Sequence, residues 1–174
     1  GVLDLPGSTR NAAVVIAAST AGQIMILLIG GTLADRTSRH RMLIVADTIA
    51  TISQLSMAYL LLTGQATVPN LAGLMLITGM AYALHQPSMT GFIPQMVPRE
   101  KLQAANALLG TARNGSLTLG AAGAGILVAT VGVGVTIAID GISFCISALL
   151  ILSLKPKQQV TPEAASFFTD LKLG

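Results

Sequence analysis

Residues 11–34 read NAAVVIAASTAGQIMILLIGGTLA, a run with no charged side chain between Arg10 and Asp35. At about 1.5 Å per residue, a helix of this length crosses a hydrocarbon core of about 30 Å. The first membrane span is therefore expected over about 12–33. The same pattern extends outward along the chain. Residues 48–98 contain no Asp, Glu, Lys or Arg, which is too long for one helix. They are interrupted by a turn-rich stretch from Thr63, Gly64 and Gln65 to Pro69 and Asn70, so two spans are expected, about 43–62 and 71–93. Residues 102–154 carry only Arg113 and Asp140 as charges, and Gly132, Val133 and Gly134 supply a break between spans at about 104–130 and 135–154. Backbone groups in lipid must be satisfied internally, and continuous apolar runs lack the alternation of barrel strands. The expected fold is all-α: a polytopic membrane helical bundle with five transmembrane helices over 12–154.

Composition agrees. Hydrophobic residues make up 52% of the chain and charged residues 10%, with a mean hydropathy of +0.74. Soluble domains carry about a quarter charged residues. The ionisable residues crowd into short segments between long apolar stretches, so the net charge of +3 says little about nucleic acid, and no nucleic-acid partner is expected. The single Cys145 lies in an apolar run and forms neither an internal disulfide nor a metal site alone. The chain begins with Gly1 and has no basic n-region followed by an apolar h-region, so it reads as an excised piece without a signal peptide.

Basic residues set the expected orientation. Arg36, Arg39 and Arg41 lie in one loop, Arg99 and Lys101 in the next but one, and Lys155, Lys157 and Lys172 in the tail, all on one side of the five spans. That side is expected to be cytoplasmic, in a multi-pass protein of the cell inner membrane. Residues 1–11 form an external loop, and the loops at 63–70 and 131–134 carry no charge. Residues 155–174 begin as a polar linker and continue past Thr161 and Pro162, an N-cap and first-turn proline. Ala164, Phe167, Phe168 and Leu171 then share one face, as in an amphipathic segment lying on the membrane surface. A disordered tail is the alternative there.

The most specific motif follows the first span: Gly31, Thr32, Leu33, Ala34, Asp35, Arg36, Thr37, Ser38, Arg39, His40, Arg41. Gly31 permits close helix approach, and Asp35 with Arg36, Arg39 and Arg41 can form charge pairs or cap helix ends that make and break between conformations. This segment resembles the signature of the Major Facilitator Superfamily between its second and third transmembrane helices, with Ser38 at the position of the second glycine. Further segments carry the same resemblance: Asp4 to Ser8 after a first helix, Pro94 to Pro98 with Arg99, Glu100 and Ala105 to Leu108 leading into a fifth, and Ile139 to Phe144 in a sixth. Together they are similar to bacterial exporters of the enterobactin-exporter type. The resemblance implies a partial N-terminal half of that fold, helices two to six. A first helix and a C-terminal half would then be missing partners.

Inside the fourth span, Ala112, Ser116, Gly120 and Ala124 recur every four residues, a small-residue stripe suited to close helix packing. Gly120 to Gly125 also resembles a worn antiporter motif, with Ala121 at its usual proline and Ala124 at one glycine. Three charged residues sit within spans: Asp47 and Asp140 near opposite ends and Arg113 deeper. Each costs about 2.5–3.5 kcal/mol at the bilayer centre, so each is expected to face the bundle interior or a water-filled cavity. Arg113, Asp47, Asp140 and His85 are the candidate substrate or proton pathway; snorkelling charges and a hydrogen-bonded structural histidine are the alternatives. The usual arginine of the family's fourth helix is absent between Leu71 and Pro94.

No nucleophile with a base, paired carboxylates, metal-ligand spacing or phosphate-cradling loop is present, so neither an enzyme, a metal nor a cofactor is indicated. The expected function is secondary active transport: export of a small organic molecule such as a drug or siderophore by proton antiport, with two halves rocking around a central site in the lipid bilayer. The alternatives are a non-transporting membrane scaffold or assembly protein and the product of a truncated transporter gene.

Overall fold

The computed structural model describes residues 8–34 and 37–154, with side chains described at 9–27 and 37–154. Four long helices follow one another: α1 (Ser8–Ala34), α2 (Arg39–Leu62), α3 (Val68–Met96) and α4 (Leu102–Ser153), with a single 3₁₀ turn at Arg99–Lys101 before α4. All four are long and apolar enough to cross a membrane. The helices begin a few residues before the apolar runs that define them, because polar caps extend a helix beyond the part that needs lipid. Ser38 accepts a hydrogen bond from the Arg41 backbone N–H and Thr67 one from Asn70, each satisfying a donor that the helix leaves free, and Pro69 occupies the first turn of α3. The expected loop at 1–11 overlaps α1 from Ser8 onward, and the expected tail at 155–174 lies outside the described residues.

α4 is not one rod. Gly132 has φ 83° and ψ 165°, a conformation closed to residues with a Cβ. Gly120, Gly123, Ala124 and Leu127 before the break line one cavity, of about 500 Å³, with Thr136, Ile137, Asp140 and Ser143 after it. In a straight helix Gly120 and Ser143 would be about 34 Å apart. The two arms, 102–131 and 133–153, therefore fold back beside one another.

Packing runs from α1 to α3, from α3 to α2 and from α2 to the second arm of α4. The α1–α3 crossing is set by two glycines the sequence reading did not single out. A Cβ at Gly79 would lie 2.8 Å from the Ser19 carbonyl carbon, and one at Gly22 3.0 Å from that of Leu76. Without side chains at these points the two backbones touch, as in other small-residue crossings in membranes. α2 and the second arm run antiparallel, with Gly134 beside Leu61 and Leu62 and Gly141 beside Gln54 and Leu55. The buried centre is made by Leu43, Ala46, Ala50, Met57 and Ala58 of α2 with Leu71, Ala81, Leu84 and Phe92 of α3. The outside stays apolar: Ile52, Leu119 and Leu149 are all at least 60% exposed, as suits side chains that meet lipid. No residue of 102–131 is buried among the described residues.

Candidate functional site

Seven residues are almost two turns of an α-helix, so His40, Asp47 and Gln54 stand on one stripe of α2 at steps of about 10 Å. Each meets a polar partner on the antiparallel second arm of α4. Nε2 of His40 lies 2.7 Å from the Ile151 carbonyl oxygen. Ser147 Oγ donates to Asp47 Oδ2 at 2.5 Å, and Gln54 Nε2 donates to Asp140 Oδ2 at 2.6 Å. The result is a polar seam through an apolar bundle, with Ile151, Ser147 and Asp140 answering the α2 stripe in reverse order.

α3 completes the seam from the third side. Nε2 of His85 is 3.4 Å from Oδ1 of Asp47, so that carboxylate touches all three helices. The two partners differ sharply in access: the Asp47 side chain is 2% exposed and that of His85 27%. Thr51 Oγ1 donates to the Asp47 backbone carbonyl, which holds its own turn of α2 in place. One layer away, Tyr82 packs edge-on against Phe144, on the arm that carries Asp140. A separate buried pair, Ser53 and Thr78, joins α2 to α3: Thr78 Oγ1 to Ser53 Oγ at 2.9 Å, and Ser53 Oγ to the Leu74 carbonyl at 2.7 Å. No buried side-chain nitrogen or oxygen is left without a partner among the described residues.

At the Ser38 end the first turn of α2 grips both neighbours. The His40 ring stacks on Phe92 with centroids 5.7 Å apart while its Nε2 reaches the last turn of α4. Arg39 Nη1 donates to the Pro87 carbonyl at 3.2 Å. That reach depends on Gly91, since a Cβ there would occupy the space of the guanidinium.

The expected pathway residues are thus brought together in part. Asp47 and His85 meet, and Asp140 lies on the same seam two turns from Ser147. Arg113 stands on the exposed first arm of α4 and takes no part in the contacts of the seam. Ala112, Ser116, Gly120, Ala124 and Gly125 are also exposed, and a Cβ at Gly120 or Gly125 would meet nothing within 4 Å. The close crossing in this structure is at Gly22 and Gly79 instead. Of the signature loop, Gly31 lies in the last turn of α1, Arg39 makes the bond to Pro87, and Arg41 is exposed. Asp35 and Arg36 lie outside the described residues. Sequence reading missed Ser147 and Gln54 and named His40 only within the signature loop, although the seven-residue spacings of Ser147 from Asp140 and of Gln54 and His40 from Asp47 were there to be seen.

A family model described as transmembrane secretion effector matches residues 2–170. No curated protein and no solved structure matches the chain. The match covers nearly the whole sequence, so the chain belongs to the transmembrane secretion effector family of Major Facilitator Superfamily transporters. It is a multi-pass membrane protein of a transporter family.

Proposed function

We propose that this member of the transmembrane secretion effector family is a secondary active exporter that expels a small organic molecule, such as a drug or siderophore, in exchange for protons. The observation that carries the reading is Asp47, a carboxylate almost fully enclosed in an apolar bundle yet in contact with a histidine. Charge inside a membrane domain is costly and is retained where ions or substrates pass. The break at Gly132 supports counting the two arms of α4 as separate spans, five in all, numbered two to six in the first half of the transporter. A preceding helix and a second half are then its working partners, and the wholly unburied arm 102–131 offers the surface for them. The basic loops lie on the cytoplasmic side of the inner membrane, where Asp35, Arg36, Arg39 and Arg41 act as a conformational switch between the two halves.

The test is transport by the complete transporter in liposomes under an imposed pH gradient, with a panel of cationic dyes and iron chelators as probes. Export that collapses with a protonophore and needs no ATP is expected. Replacing Asp35 or Arg36 abolishes it while membrane insertion persists. Transport undiminished in both variants, or indifferent to the proton gradient, refutes the reading.

A further inference from the structure

We infer that Asp47 and His85 act in sequence on one proton, with Asp47 holding the coupling proton and His85 serving as the relay through which that proton reaches it. This rests on the proposed antiport and assigns these two residues to the proton rather than to the substrate. Enclosure decides the assignment. A side chain 2% exposed, with one oxygen bonded to Ser147 and the other facing His85, leaves no room for an organic molecule. A proton needs no such room. His85 is more than a quarter exposed, and the contact with Asp47 is the polar contact it makes among the described residues, so it bridges the enclosed carboxylate and the surroundings. Asp140 differs, because it lines the cavity between the arms of α4 and can meet larger solutes there.

The transfer balances without any further reactant. A proton adds to Nδ1 of neutral His85, and the proton already on Nε2 passes to Oδ1 of Asp47. This leaves a neutral carboxyl group and a neutral imidazole with its proton on Nδ1. Release of the Nδ1 proton and uptake of another at Nε2, by exchange with water at the exposed part of the ring, restores the starting tautomer. At 3.4 Å the two atoms are slightly beyond hydrogen-bond range, and a small side-chain movement closes the gap. The charged and titratable groups around the pair are few. α3 adds Tyr82 one turn from His85, and the second arm adds Asp140, bonded to Gln54. α2 adds His40 and Arg41, about two turns away toward the Ser38 end.

The experiment follows protonation of the carboxyl group directly, by time-resolved infrared spectroscopy of the liposome-embedded protein after a pH jump. Because it does not read transport, its failure is distinct from failure of the antiport reading. A carboxyl signal that disappears in Asp47→Asn identifies the group. His85→Ala is expected to slow its appearance about a hundredfold, within the range by which a positioned acid or base speeds proton transfer. Added imidazole should restore the rate, which a merely structural histidine would not allow, and His85→Gln, closer in size, should be slow in the same way. A signal that survives Asp47→Asn, or a rate unchanged in both His85 variants, overturns the proposal.

Discussion

Replacing Gly79 by alanine should weaken the bundle, and the structure says by what route. The new methyl group would run into the Ser19 carbonyl oxygen and lie 2.8 Å from its carbon. Ordinary contact begins near 3.4 Å, so α1 and α3 must part by more than the difference, about 0.6 Å. The obstacle is backbone, which cannot rotate aside as a flexible side chain would. Overpacking of this kind costs about 1–3 kcal/mol. Gly73 of the same helix is the control: a Cβ there meets nothing within 4 Å. Gly73→Ala should be neutral or should gain up to about 1 kcal/mol from helix propensity. Reversible unfolding in mixed detergent micelles, followed by circular dichroism, measures both variants against the parent. Equal stability of the two alanine variants would show that the crossing does not depend on close backbone approach, and the reasoning would fail.

Two more outcomes follow from the same contacts. Ser147→Ala removes the donor to Asp47 Oδ2 and should lower stability by about 0.6 kcal/mol, the average for hydrogen bonds between membrane helices, and by no more than about 1.7 kcal/mol, with Ser147→Thr recovering most of it in the same unfolding assay. Gly132→Ala forces a side chain into a conformation that only glycine adopts freely, costing about 1–3 kcal/mol; spin labels on the two arms of α4 should report a changed separation, whereas an unchanged distance would mean that the turn is not tied to that conformation.

The bundle was legible because lipid imposes one rule on every span. Charge-free runs mark the helices, and Gly132 with its neighbours marks the turn between the arms of α4. Partner choice was less legible. Helix faces in a membrane are apolar all round, so periodicity does not tell the buried side from the lipid side. This is why Ala112, Ser116, Gly120 and Ala124 formed the conspicuous stripe, while the contact fell to Gly22 and Gly79, each with only one small residue four positions away along its helix, Ala18 and Ala83. Asp47 and His85 could be named one at a time, because intramembrane ionisable residues stand out. Their meeting could not be read, since it depends on how α3 is rotated against α2. Ser147 and Gln54 were passed over because neutral polar side chains carry little cost in a span.

The turn at Gly132 also bears on how the protein is made. Between the arms there is no charged or extended segment to pause at the bilayer surface, only Val131, Gly132, Val133 and Gly134. Residues 102–153 therefore emerge from the ribosome as one long stretch whose only charges are Arg113 and Asp140. A lone first arm would enter lipid with Arg113 and with a broken end whose carbonyls have no donors. The two arms are expected to enter the membrane together, so that the second arm brings Ser147 and Asp140 to α2 with the first arm already beside it.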